Sequence, residues 1–416
     1  MNTILLIVNR SLRQHLLSTC VTSISVGLAC GLLMAVFAIQ AQTYEAMTAG
    51  ATRFDAVLGA RGSQLQLVLN AVFHLDVSPG NLPWKMYMFI KNDPHVLKAI
   101  PYAVGDNYRG FRIVATTSEL FGYKATGKNF ELQKGQFFDP EKREAVLGSF
   151  AADKTNLKIG SVFNAYHGIV FEEKMKHPEQ FTVVGILKPT NTPADRAIWT
   201  PLDSFYRLSG HVLRGLAGRG YVAKGSEAIP DEYKEVSAVM VKFKSPQMGV
   251  FYDQMINRQG KVATLAWPIE KVMADFLNKI GWFHKILTIL AYVIAVVAAG
   301  AILAGIYNSM NERRREFAIL RVLGAHRLNI FTVIIMEACV IAFNGVIIGF
   351  VIYGLVLSVA SVIIRSGTGV VIEVFRFHPV FIGAPIGIIV LGSLAGIIPA
   401  MKAYQSPVAE NLAPQS

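Results

Sequence analysis

Four stretches of the chain run without charge for long enough to cross a bilayer. No Asp, Glu, Lys or Arg occurs between Arg13 and Glu45, between Lys285 and Glu312, or from Phe377 to Met401, and 328–364 holds only Glu337. A spanning helix needs about 20 mostly apolar residues. The pattern therefore predicts transmembrane helices over 16–41, 285–310, 329–364 and 377–401, with 1–15 and 402–416 as tails. Between the first two spans, over 42–284, the rhythm changes. Phe111–Thr116, Ser161–Val170, Phe181–Leu187 and Val236–Lys244 are short, rich in β-branched and aromatic residues and bounded by turn residues, which predicts strands. Pro94–Ile100, Asp203–Leu208 and Gln247–Arg258 read as helices between them, giving an α+β domain. Its flanks, 42–72 and Pro268–Trp282, read as helical continuations of the spans that form a stalk, with a break near Gly59–Gly62. The competing reading makes Phe54–Leu75 an amphipathic helix lying on the membrane surface.

Composition agrees with the membrane reading. Apolar residues make up 52 %, charged residues 16 %, and mean hydropathy is +0.41. The net charge of +12 is spread along the chain without a basic arm, so no nucleic-acid partner is expected. The three cysteines, Cys20, Cys30 and Cys339, all lie in apolar stretches, which excludes a disulfide framework and a cysteine zinc site. Arg10 and Arg13 precede the first span, and Arg313, Arg314, Arg315, Arg321 and Arg327 fill 311–328. Only Arg365 and Arg376 occupy 365–376. The positive-inside rule puts both tails and 311–328 in the cytoplasm, and 42–284 and 365–376 outside. The first apolar stretch exceeds the roughly 7–15 residues of a signal-peptide core, so it reads as an uncleaved anchor.

Enzyme chemistry is mostly absent. There is no phosphate-binding G-x-x-x-x-G-K-[ST], no H-E-x-x-H and no G-x-S-x-G. The chain is expected to be no enzyme and to hold no cofactor. His167 and His177 flank Glu172-Glu173, and Met86 and Met88 sit beside Trp84 and Tyr87. These are read as a solvated hairpin and a packed aromatic loop in preference to a zinc or soft-metal site, so no metal is expected.

The segment 311–328 carries the most specific signal. Phe317, Leu320 and Gly324 share one helical face, with Ile319 and Leu323 adjacent. Taken alone it is a basic juxtamembrane loop suited to anionic lipid. Glu316-Phe-Ala-Ile-Leu-Arg-Val-Leu-Gly-Ala325 also resembles the coupling helix of the FtsX-like permease family of ABC transporters, the group containing the macrolide exporter MacB and the lipoprotein-releasing permeases. Ile398-Pro-Ala-Met-Lys-Ala403 with Ser406-Pro-Val-Ala409 is similar to that family's C-terminal signature. Phe181–Leu187 with Thr192–Leu202 is similar to the MacB-like periplasmic core, whereas Val57–Leu67 and Asn81–Trp84 depart from the macrolide exporter. The resemblance implies four spans and a periplasmic α+β domain, a homodimer in a bacterial inner membrane, and a separate ATPase docking on Glu316, Phe317, Leu320, Arg321, Leu323 and Gly324. It implies motion passed to the outer domain for export through a periplasmic adaptor, for lipid or lipoprotein extraction, or for control of a periplasmic hydrolase.

Three further features take meaning from that frame. Glu337 lies inside the third span, where a carboxylate is costly unless it is paired or faces the bundle; a structural pair is preferred to a proton relay. Gly345-x-x-x-Gly349 and Gly383-x-x-x-Gly387 permit close helix approach, within one subunit or across a homodimer seam. Leu65, Leu69, Phe73, Trp84, Tyr87 and Phe89 are the candidate lining of a substrate groove or of the stalk.

Overall fold

The computed structural model describes residues 2–48, 53–123, 129–216, 218–312, 316, 319, 321–322, 324–369 and 371–405. The chain divides into two compact units. One comprises 1–42, 280–362 and 372–416, and the other comprises 43–279 and 363–371.

The first unit is helical. Helix α1 (Asn2–Gln14) precedes α2 (Leu16–Thr48). The second unit contributes α3 (Gln64–Ala71), α4 (Trp84–Lys91), α5 (Glu119–Gly122), α6 (Ser149–Thr155), α7 (Leu202–Tyr206), α8 (Pro246–Asp253) and α9 (Ile269–Lys279). The first unit resumes with α10 (Gly281–Glu312), α11 (Arg327–Thr368) and α12 (Val380–Gln405). Among the described residues four helices are long and apolar enough to span: α2, α10, α11 and α12. In α2, 56 % of the most apolar window is buried by protein, against 17–28 % in the others. Thus α2 is the most enclosed of the four, while α10 to α12 present broad apolar faces such as Val296, Phe343, Val351 and Ile386.

Glycines decide how α2 meets α11. A Cβ on Gly31 would lie 2.6 Å from the Gly349 carbonyl oxygen, and one on Gly345 would lie 2.4 Å from Val26 Cγ1. Gly27-x-x-x-Gly31 therefore faces Gly345-x-x-x-Gly349 within one subunit, backbone against backbone. Gly383 and Gly387 on α12 meet no atom within 4 Å.

The second unit is built on a ten-stranded mixed sheet. Its strands, with a separate short pair, are β1 (Ala56–Ala60), β2 (Leu82–Pro83), β3 (Val96–Tyr108), β4 (Phe111–Thr116), β5 (Leu132–Gly135), β6 (Glu144–Leu147), β7 (Val162–His167), β8 (Lys176–Leu187), β9 (Ile198–Pro201), β10 (Glu235–Val236), β11 (Ala238–Phe243) and β12 (Ala263–Ala266). The order is β12-β1-β11-β3-β4-β9-β6-β8-β5, with β7 pairing β3 and β8. The pairs β4–β9 and β6–β8 are parallel and the rest antiparallel. Strand β3 is long enough to serve two partners: its first half pairs with β11 and its end, Asp106 and Asn107, pairs with His167 and Tyr166 of β7. A register irregularity against β4 between Val104 and Asn107 lets it turn from one partner to the other.

Two expectations fail here. Residues 42–72 are not helical up to a break near Gly59–Gly62: α2 ends at Thr48, and 56–60 is a sheet strand, with a helix resuming only at Gln64. Val57 packs in one core with Leu67 and Met273, while Ala56 and Leu58 pack in another with Tyr87 and Val241. A strand buried on both faces loses its polar alternation, so its apolar run passes for a stretch of helix. Likewise 94–100 is the start of β3. Val96, Ala99 and Ile100 gain their burial from pairing with β11, and that tertiary pairing overrides the local helix signal.

Candidate functional site

Of the residues expected to dock on an ATPase, Phe317, Leu320 and Leu323 lie outside the described residues. Glu316 is helical and exposed, and Arg321 is helical and half-buried. Gly324 has φ +96°, a left-handed value that suits glycine. The tail motif at 406–409 also lies outside the described residues.

Glu337 is buried at 5 % exposure on α11, and Ser11 Oγ of α1 donates to its Oε1 at 2.8 Å. The amphipathic α1, read from sequence as part of a plain tail, therefore supplies a partner for the intramembrane carboxylate.

The proposed groove residues do not share one surface. Phe73 is buried in the core that contains Leu67, Val68 and Trp199, with Leu65 and Leu69 packed against it. Tyr87 is buried in a different core with Ile90, Val239 and Tyr252, while Phe89 is 52 % exposed. The aromatic "loop" at 84–91 is α4, with Tyr87 and Ile90 on its inner face at i, i+3. Phe73 and Tyr87 are core, so they line no groove. Leu65 does border a cleft of about 420 Å³ with Gln64, Asp253, Trp267, Lys271 and Phe276.

A polar constellation has formed that the sequence reading left dispersed. Asp106, His167, His177 and His211 each bring a ligand-type atom within 4.8 Å of all the others. Strand pairing sets Asp106 opposite His167. His177 lies on β8, and His211 follows α7 at the end of a turn in which its amide donates to the Leu208 carbonyl at 3.1 Å. Asp106 is fully buried, His177 is nearly so, and His167 is the exposed member. The solvated-hairpin reading thus suits the exposed Glu172 and Glu173 but not His177.

Each contact around the carboxylate is defined. His167 Nδ1 is 3.1 Å from Asp106 Oδ1. His177 Nε2 and His211 Nε2 stand 3.5 and 3.3 Å from Asp106 Oδ2. On their far sides His177 Nδ1 meets the Ser209 carbonyl at 2.8 Å and His211 Nδ1 meets the Phe205 carbonyl at 2.9 Å. Glu179 in turn accepts from the Ser209 amide and hydroxyl, fixing the turn that presents that carbonyl. Asn107 Nδ2 donates to the carbonyls of Tyr166, Gly168 and Val170, holding the end of β7 and the residues after it. Burial alone would raise the Asp106 carboxyl, but the ring nitrogens around it hold it far below the usual carboxylate range. Burial alone would lower His177, and the adjacent carboxylate more than offsets this, so both His177 and His167 are raised. A cavity of about 180 Å³ lined by Gly105, His167, Phe205, Tyr206 and His211 opens beside the cluster.

A second histidine environment works in the opposite sense. His74 packs edge-on to Trp199 at 5.9 Å, and its Nδ1 is buried without a hydrogen-bond partner. Burial, followed by the charge of Arg112, pushes it down to about 3. Its native form is neutral where the unfolded chain, titrating near ~6.5, takes a proton. The unfolded state binds more protons between those values, so this residue makes stability fall as pH drops through that window, by up to ~1.4 kcal/mol per pH unit. His74→Asn, which tolerates the local φ of +58°, should flatten that slope. Denaturant midpoints read by tryptophan fluorescence at mildly acid and neutral pH check it, and an unchanged slope would count against the buried neutral ring.

A four-span helical unit with a mixed α+β domain between the first and second spans defines a membrane protein that carries a large extramembrane domain. The comparisons agree. The MacB-like periplasmic core domain family matches residues 16–247, and the FtsX-like permease C-terminal family matches residues 288–408. The chain belongs to this FtsX-like, MacB-like family of ABC transporter permeases. The extracellular domain of the noncanonic ABC-type transporter YknZ from Gram-positive bacteria aligns with 50 % of this chain and 97 % of its own, at 14 % identity and a TM-score of 0.29. The periplasmic region of MacB from Actinobacillus actinomycetemcomitans aligns with 54 % of this chain and 94 % of its own, at 10 % identity and a TM-score of 0.33. Among curated proteins none matches at a significant level.

Proposed function

We propose that this chain is the membrane subunit through which a separate ATPase drives a periplasmic domain. ATP and magnesium bind in that partner, two copies of the chain form a homodimer in a bacterial inner membrane, and the work is export or extraction of a periplasmic or membrane substrate. The observation that carries the reading is the segment Glu316–Ala325, which falls between the second and third spans and includes Gly324, whose backbone is left-handed. A segment at that place, seated on a partner, can pass motion to the spans on either side of it. Closure of the ATPase pair then biases a two-state device rather than pushing substrate through the bundle.

Reconstitution tests it. The purified chain should hydrolyse no ATP, and its cognate ATPase should be stimulated when bound to it. Leu320→Asp should abolish that stimulation while the protein still reaches the membrane, because a charge replaces an apolar docking contact. ATP turnover by the chain alone, or full stimulation by Leu320→Asp, would remove the proposal.

A further inference from the structure

We propose that Asp106, His167, His177 and His211 form a binding site for a single transition-metal dication, with Zn²⁺ the best match, in the second unit of this protein. The argument starts from proton positions. The Ser209 and Phe205 carbonyls can only accept, so the Nδ1 atoms of His177 and His211 that face them carry the protons. A neutral ring then has a bare lone pair at Nε2. In both residues that lone pair points at Asp106 Oδ2, itself an acceptor, across 3.5 and 3.3 Å. All three atoms are buried, and none has a hydrogen-bond partner among the described residues. Three buried acceptors converging on one point call for positive charge there, carried either by protons on the rings or by a metal ion.

Two extra protons are the competing solution. They would place two imidazoliums with ring centroids 5.1 Å apart, near a buried Arg112 that already feels Asp106. One dication satisfies the same three atoms with both rings neutral.

The dimensions suit the ion. Four ligands at ~2.0–2.1 Å around tetrahedral zinc are separated by roughly 3.3 Å. The two edges to Asp106 Oδ2, 3.3 and 3.5 Å, are close to that spacing, and all four ligand atoms lie within 4.8 Å of one another. Imidazole nitrogen with one carboxylate is the donor set of borderline metals, not of calcium or magnesium. The backbone carbonyls on the two Nδ1 atoms are the outer partners that orient metal-bound histidines. His167, 53 % exposed and beside the cavity of about 180 Å³, is the ligand through which an ion enters and leaves. An occupied site would tie together the end of β3, the β7–β8 hairpin and the turn after α7.

The test uses the full chain in detergent, stripped with chelator and titrated with ZnCl2 against a chromophoric competitor, with bound metal counted by mass spectrometry. One zinc per chain is expected. His177→Ala and Asp106→Asn should weaken binding by on the order of 100-fold or more, since even outer-shell changes cost ~10–100-fold. His167→Ala alters an exposed side chain, so it should leave the fold intact and still weaken binding by at least ~10-fold. His95→Ala, which is exposed and outside the cluster, should bind as the unaltered chain does. Cobalt substituted into the site should show the intense visible bands of four-coordinate geometry and lose them in His167→Ala. Absence of stoichiometric zinc at micromolar concentration would overturn the site. Equal affinity of His167→Ala and the unaltered chain would overturn it as well, whatever the buried variants do.

Discussion

Asp195→Ala is expected to destabilise the α+β unit by about 3–5 kcal/mol, a large part of the ~5–15 kcal/mol that holds a domain together. The carboxylate is 3 % exposed and organises its own turn. Its Oδ1 accepts from the Thr190 amide at 2.9 Å and from the Thr190 hydroxyl at 2.7 Å, and Oδ2 accepts from the Asn191 amide at 2.9 Å. Asn191 sits at φ +54°, a conformation this network stabilises. The same turn is closed from behind by Gly148, where a Cβ would lie 2.4 Å from the Asp195 carbonyl oxygen. Truncation removes the acceptor and leaves the buried Thr190 amide unpaired, while the Thr190 hydroxyl keeps only its contact with Thr192 Oγ1 at 2.7 Å. Bonds to a charged acceptor are worth roughly 1.5–3 kcal/mol each, and orphaned donors add their desolvation cost. Asp195→Asn keeps one oxygen acceptor and should lose less, about 1–2 kcal/mol. Denaturant midpoints of the two variants read this directly. An alanine variant within ~1 kcal/mol of the unaltered chain would mean that the turn holds without its carboxylate.

That turn also shows why some of the protein was legible in its sequence. Thr192-Pro-Ala-Asp195 is a local device: its residues contact each other within a few positions, so the pattern survives in the linear string. The spans are legible for a similar reason, since each is a continuous apolar run whose meaning does not depend on its neighbours. What failed to read was set by distant partners. Strand β1 looks helical because two cores cover its two faces. The start of β3 looks helical because its strand identity comes from β11, well over a hundred residues later. The histidine cluster is the extreme case. His167 and His177 were visible as neighbours in a hairpin, but Asp106 arrives through a strand register and His211 through a turn fixed by Leu208, and neither leaves a spacing to find. The Ser11–Glu337 bond was hidden in the same way, by 326 positions of chain.

The helix seam gives the second large effect. Gly31→Leu and Gly349→Leu should each prevent α2 and α11 from packing, and the protein should be lost from the membrane or melt far earlier in detergent. The argument is steric. At Gly31 even a single Cβ would fall 2.6 Å from the Gly349 carbonyl oxygen and 2.9 Å from Ile352 Cβ; at Gly349 it would fall 2.9 Å from Cys30 Cβ and 3.2 Å from the Gly27 oxygen. Backbone atoms cannot swing aside as a side-chain terminus can, so the helices must separate. Overpacking a core typically costs ~1–3 kcal/mol when side chains can yield. Here the cost should reach the top of that range or pass it, because opening one contact also opens its partners at Gly27 and Gly345. In a bilayer the lost packing is not recovered by hydrophobic burial, since lipid tails solvate apolar side chains equally well. Gly383→Leu is the matched control: nothing lies within 4 Å of its Cβ position, so the same change of bulk should leave the single subunit's melting temperature unaltered. Fluorescence-detected size exclusion after heating compares the three variants. A Gly31→Leu protein as stable as Gly383→Leu would mean that this seam does not hold the bundle. A Gly383→Leu protein that keeps its melting temperature but runs as a smaller species would place a second subunit against α12.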